Sequence, residues 1–433
     1  MTRIRYSVET YLNGNRRARQ TIAGLLIFAA VVGVTVAIKK ALTRELDLYV
    51  ILNASRQMLA GADIYATPAA NGAYYLYLPS LAFAFIPLAL LPQSFAGVLW
   101  TLVCIALIAW SLHETIKLIA GDLYTEISPF ERWTIHLVPV ILCGDAISSE
   151  IGNAQVNCLI LAAAIFALRL AKCSHDRAAG MLLGFATIAK IFAAPLLFYE
   201  ILNKRVRLIA AALIGAVAAL LLPALLIGWQ RNLEYLRYWT TDIALYSDLA
   251  SHRSGFAGNA SMQAVLTRIL TDTPAFVWNG AAYHLNFAAL QPATIGIIGM
   301  LVPLLATLVL VLYFLLFRHR QPLISRWGAV AIAFSIAPLI SPVLERPHFV
   351  MLLPAYVYVS WMWLHERIES KLFYALLIAA FVLSTLTLKL YVGDFGGNLF
   401  WSLGAPTLAE IALIAAIFAA AMSAKHQDLT AAR

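Results

Sequence analysis

Apolar runs of about twenty residues return along the whole of this chain, and they close off most folds. A helix of roughly that length is what it takes to cross ~30 Å of hydrocarbon. Spans are predicted at about 21–39, 75–92, 94–112, 133–149, 154–171, 179–200, 206–228, 293–317, 326–341, 346–364, 371–390 and 405–423. About twelve such helices make an all-α, polytopic integral membrane protein. It reads as a single transmembrane domain over residues 1–433, with long loops at about 40–74 and 229–292. The composition agrees, since only 12% of residues are charged, against about a quarter in soluble proteins. No stretch outside the bilayer is long enough to bury a core of its own. The first run, Thr21 to Ile38, lacks a small-residue cleavage site and is expected to remain as an anchor.

The net charge of +9 does not point to nucleic acid, because the basic residues gather in short interhelical loops. Arg16, Arg17 and Arg19 precede the first span, Lys204, Arg205 and Arg207 form a second group, and Arg318, Arg320 and Arg326 a third. The positive-inside rule sets these groups, and both termini, in the cytoplasm. Lys39, Lys40 and Arg44 run against that assignment. Segments 40–74, 229–292, 342–347 and Tyr391 to Gly404 then share the outer face. The long loop balances Arg231, Arg237, Arg253 and Arg268 against Glu234, Asp242, Asp248 and Asp272, and Asn232 to Leu249 is spaced for an interfacial helix. Residues 113–178 admit two topologies. Either every span crosses and Arg169 to Arg177 faces outward, or 75–92 or 179–200 is broken or re-entrant. In the second case the turn Gly152 to Gln155 faces outward. Pro79, Pro87 and Pro195 make a break plausible, because proline lacks the backbone donor. No internal repeat stands out. The four cysteines show no metal or disulfide spacing and read as small apolar fillers.

Several polar residues sit where lipid-facing segments should hold none. Lys190 interrupts GMLLGFATIAKIFAAPLLFYE near its middle, at a cost of about 2.5 kcal/mol or more unless a cavity or partner receives it. Asp47, in ELDLY, follows the first span and is either a general base for a hydroxyl or a helix-start acid. Asp63 reads as a turn residue. His348 and Arg346, in SPVLERPHFVMLLP, are placed to bind phosphate, or Arg346 pairs with Glu345 while His348 caps. Gln155 and Asn157 open an apolar helix as two amides that line a cavity or bond between helices. Asn259 and Arg268 lie in GNASMQAVLTRIL, where Asn259 reads equally as an N-cap with Ser261 on the first turn. No Walker loop, zinc motif, nucleophile elbow or haem motif occurs, so no cofactor and no metal site is predicted.

Taken in order, these segments resemble glycosyltransferase family 87, the polyprenol-phosphate-sugar-dependent transferases of the GT-C superfamily. LDLYVILNASRQMLAGADIY is similar to its Asp-containing opening, and YLYLPSLAFAFIPLALLPQSFAGVLW, with Tyr77, to its Tyr-Pro-to-Trp stretch. GNAQVNCLIL resembles a Gly-Gln-Asn turn, with Asn153 and Ala154 inserted. AGMLLGFATIAKIFAAPLLFY, GNASMQAVLTRI and SPVLERPHFVMLLP follow in the family's order. The resemblance implies an α-mannosyltransferase-like enzyme of the bacterial inner membrane, working at the extracytoplasmic face among membrane lipids. Its partners would be a polyprenyl-phosphate sugar donor and a lipid or glycan acceptor. Asp47 becomes the base and His348 part of the reaction centre. Lys190, Arg268 and Arg346 surround the donor phosphate, with Gln155, Asn157, Asn259 and Tyr77 against substrate. Pro347 stands where the family often has a second histidine. A transporter or lipid flippase, with Lys190 as its coupling charge, is the competing class.

Overall fold

In the computed structural model, residues 9–11, 14–244, 258–366 and 368–424 are described, so Asp248 and Arg253 lie outside the described residues. The helices used below are α1 (Arg16–Thr43), α2 (Leu48–Leu59), α3 (Gln93–Ala120), α4 (Pro129–Leu142), α5 (Gly144–Asn153), α6 (Asn157–Lys172), α7 (Asp176–Ala189), α8 (Ala194–Leu202) and α9 (Val206–Leu221). They continue as α10 (Trp229–Tyr238), α11 (Met262–Leu270), α12 (Pro292–Phe317), α13 (Ala329–Leu339), α14 (Leu353–His365), α15 (Lys371–Thr385), α16 (Lys389–Ser402) and α17 (Ala405–Ser423). The predicted all-α membrane architecture is what forms. Among the described residues five helices are long and apolar enough to cross, or seven if each of two bent pairs is one span. The bends are 66° between α4 and α5 and 85° between α15 and α16.

Polar and proline residues break the other apolar stretches into pieces. The predicted span 75–92 is two short helices, Pro79–Ala84 and Ile86–Ala89, each begun with a proline in its first turn. The stretch 346–364 opens as a 3₁₀ segment, Arg346–Leu352, before α14. In the long loop before α12 two three-residue strands, Phe276–Trp278 and Ala281–Tyr283, pair antiparallel. Asn279 and Gly280 both take positive φ, 49° and 80°, the geometry of a tight hairpin whose twist suits its strands.

The predicted span 179–200 is a re-entrant hairpin. Helix α7 ends at Lys190, whose backbone is extended (φ −158°, ψ 133°), and α8 turns back. The hairpin closes where Arg205, just past α8, donates to Asp176 at the start of α7 at 2.5 Å and to the Ala171 carbonyl at 2.8 Å. Fourteen residues of α7 climb about 21 Å at 1.5 Å each, so the apex lies deep rather than across. Helix α9 packs on α7 at backbone distance. A Cβ on Gly180 or Gly184 would run into the Leu208 or Ala212 carbonyl, and small residues are what permit such closeness between apolar helices.

This break selects the second of the two topologies for residues 113–178. Arg169 pairs with Glu114 at 3.1 Å and lies at the end where Arg205 closes the hairpin. Arg318 and Arg326 line one cavity with Arg205, and Arg16 and Arg19 line another with Arg132. Glu131 meets His365 at 3.5 Å and Glu366 meets Gln321 at 3.3 Å, tying those groups together. All the basic loops therefore share one end. Asp47, the 152–155 turn and the loop 258–291 occupy the other.

Candidate active site

The site forms where α2, the α5–α6 turn, the apex of the α7–α8 hairpin and the 3₁₀ segment before α14 meet. Asp47 stands at the start of α2, yet its side chain makes no capping bond. At that helix start its carboxylate accepts from Gln155 Nε2 at 2.6 Å. Its backbone N–H donates to the Asn153 carbonyl at 3.1 Å.

The two inserted residues explain the hold on Asp47. Ala154 adopts a left-handed conformation (φ 51°, ψ 47°) that ends α5 and swings Gln155 back towards α2. Asn153 supplies the carbonyl for Asp47, while its side chain accepts from Lys40 Nζ at 3.0 Å. That contact gives Lys40, an outlier by charge distribution, a local partner. The Gln155 carbonyl is fixed in turn by Trp100 Nε1 at 3.0 Å.

Two residues on, Asn157 begins a buried chain of polar contacts. Its Oδ1 accepts from Lys190 Nζ at 2.5 Å, and its Nδ2 donates to Glu150 at 2.8 Å. Glu150 is fully buried, and its second oxygen accepts from the Cys158 N–H at 2.7 Å. One carboxylate oxygen thus orients Asn157 while the other is anchored by the backbone, and the Asn157 oxygen aims at the ammonium. Lys190 also lies 5.4 Å from the Tyr77 ring centre and 5.3 Å from that of Phe192, within cation–π range.

His348 completes the group. Its Nδ1 accepts the Glu345 backbone N–H at 3.0 Å, which puts the proton of the neutral ring on Nε2. That nitrogen lies 3.2 Å from Lys190 Nζ, and Phe192 packs edge-on against the ring at 5.0 Å. Two N–H donors then lie side by side, an arrangement that favours an oxyanion set against both. Gln155 holds Asp47, and two residues on Asn157 holds Lys190 beside His348.

Three expected site residues are carried elsewhere. Arg346 donates to Asp145 at 2.5 Å and to the Thr387 carbonyl at 3.0 Å, and lies 4.3 Å over the Trp401 ring. Its partner is Asp145 rather than Glu345. Arg268, fully buried on α11, donates Nε to the Ser402 carbonyl at 3.0 Å. Burial lowers its guanidinium to about 10, still charged at neutral pH. Asn259 clips two loops together, accepting from the Ser261 and Leu344 N–H groups at 2.9 Å each and donating to the Pro342 carbonyl at 3.2 Å. Ser261, not Asn259, caps α11, accepting from the Ala264 N–H at 3.2 Å. Glu150, Asn153, Lys40 and Phe192 were not anticipated. One signal pointed to Glu150, since a lysine inside an apolar run calls for an ionisable or amide partner in a neighbouring span.

An acid with one oxygen held by an amide, beside a lysine and a histidine donor, can take a proton from a hydroxyl while the ammonium and the ring N–H receive negative charge. The family model described as glycosyltransferase family 87 matches residues 75–342, more than half of the chain. Tyr77, Gln155, Asn157 and Lys190 fall inside that stretch, and Asp47 and His348 contact it from either side. No curated protein and no solved structure matches the chain. With a helical, multi-pass membrane architecture and a family match over most of its length, the chain belongs to glycosyltransferase family 87 and is a membrane glycosyltransferase that takes a sugar donor and an acceptor.

Proposed function

We propose that this enzyme moves a sugar, mannose on the family resemblance, from a polyprenyl-phosphate donor to a lipid or glycan acceptor. The reaction is a single displacement. Asp47 accepts the proton of the acceptor hydroxyl, whose oxygen attacks the anomeric carbon as the bond from that carbon to the phosphate oxygen breaks. The polyprenyl phosphate leaves with one more negative charge. Lys190 and the Nε2–H of His348 stand ready to receive it, preorganised by Asn157 and by the Glu345 backbone.

The observation that carries this reading is the 3.2 Å approach of Lys190 Nζ and His348 Nε2, with Lys190 held by Asn157 and the Asp47 carboxylate held by Gln155, two residues away in the chain. Arg268 and Arg346 are left out of the phosphate site because each is engaged with other groups. The collection of basic loops at the opposite end supports a cytoplasmic position for that end. The site then works at the periplasmic face of a bacterial inner membrane.

The test is to incubate purified protein with radiolabelled polyprenyl-phosphate mannose and a lipid extract. Label transferred to an acceptor supports the reading. A folded Asp47→Asn protein that keeps full transfer would remove Asp47 as the base.

A further inference from the structure

A second polar cavity, of about 410 Å³, opens at the basic end between α8, α12 and the turn Leu323–Gly328. Arg205, Arg318 and Arg326 line it, together with the buried carboxylate of Glu200. Arg205 is held by Asp176 at 2.5 Å and by Glu200 at 3.5 Å. The cavity's other polar side chains are engaged with backbone: Asn203 donates to the Tyr199 carbonyl at 2.8 Å and Ser325 to the Gln321 carbonyl at 3.2 Å. Arg318 donates to His319 at 3.0 Å, and Arg326 lies 5.3 Å from the Trp327 ring centre. Among the described residues neither of these two arginines forms an ion pair. Arg318 and Arg326 face the same opening as Glu200, whose carboxylate is paired with Arg205, and guanidinium forks favour phosphate oxygens.

Helix α12, which leads into Arg318, also carries an exposed apolar surface. Phe314 of α12 lines the cavity, and the same helix exposes Leu308, Leu312, Leu315 and Leu316 at 53%, 51%, 54% and 58%. We propose that this cavity binds the head-group phosphate of an anionic glycerophospholipid, with Arg318 and Arg326 on the phosphate and the acyl chains along α12. A free phosphate ion would use the arginines but not the leucine surface. The site lies at the end remote from Asp47 and Lys190, so it stands independently of the transfer chemistry.

The experiment uses the full chain, purified and delipidated in a non-ionic detergent, then exposed to phosphatidylglycerol or phosphatidylcholine. Retained lipid is counted by native mass spectrometry, and stability is followed by thermal unfolding. Phosphatidylglycerol should be retained in preference, and Arg318→Gln/Arg326→Gln should weaken its binding roughly thirtyfold, at about 1 kcal/mol for each arginine. Arg318→Lys/Arg326→Lys keeps the charges and should retain most of the preference, which separates loss of the site from loss of the fold. Equal retention of the two lipids by the unsubstituted protein would overturn the proposal. So would an Arg-to-Gln protein that binds phosphatidylglycerol as well as the parent. Equal stabilisation by inorganic phosphate alone would assign the cavity to a soluble anion and overturn the lipid assignment.

Discussion

At the scale of single residues, Lys190 is the point on which the site turns. Its position was readable, because an ammonium within an apolar run demands a partner. Which partner was not readable, because Asn157 and His348 reach it from segments 33 and 158 residues away. Lys190→Met is expected to lower kcat/KM by about 10²–10³-fold, the usual cost of removing one preorganised charge donor, in the labelled-mannose assay. Arg346→Ala should change kcat/KM of the folded protein far less, by no more than about fivefold, because a partly exposed ion pair contributes at most about 1 kcal/mol. Equal losses from the two would restore Arg346 to the phosphate site. Glu150 has a different signature. Both its oxygens accept N–H groups, and a glutamine can present only one acceptor. Glu150→Gln should therefore cost about 1–3 kcal/mol, the price of a buried donor left unmet, measured by thermal unfolding in detergent.

At the scale of elements, the re-entrant hairpin and α9 act as one unit. Hydropathy scores 179–200 as a crossing helix because both arms are apolar, and it carries no information on whether a chain turns back. The turn is decided by Lys190 at the apex and by the pairing of Arg205 with Asp176 at the base. Gly184 lets α9 approach α7 closely enough to hold the arm that ends on Lys190. Gly184→Ala is expected to lower stability by about 1–3 kcal/mol through overpacking against backbone that cannot yield. Gly33, on the lipid-exposed face of α1, has open space around it. Gly33→Ala should be neutral or stabilising by up to about 1 kcal/mol on helix propensity alone. If both substitutions behave alike in the same unfolding measurement, the close α7–α9 contact is not what holds the hairpin.

At the scale of the whole molecule, the segregation of charge fixes which ends belong together. Cys173 offers a built-in reporter, exposed where Cys104, Cys143 and Cys158 are buried. It lies in the turn between α6 and α7, at the basic end. A membrane-impermeant maleimide should label Cys173 and Lys204→Cys from one side of sealed vesicles. Asn71→Cys, in a background with Cys173→Ser, should label from the other. Labelling of positions 71 and 204 from the same side would dismantle the topology and, with it, the proposed extracytoplasmic position of the site.

The amino-acid sequence by itself determined the class of the protein and the kinds of side chain in its site. Apolar runs must become helices in lipid, and charges inside them must be received. Only the tertiary structure decided which runs turn back and which polar groups meet. Re-entrance at Lys190, the Asn153–Ala154 turn and the diversion of Arg268, Arg346 and Asn259 to other partners all depend on contacts between distant segments. Hydropathy is a local property, whereas a hydrogen bond between residues 108 apart, as between Asp47 and Gln155, exists only once the helices have packed.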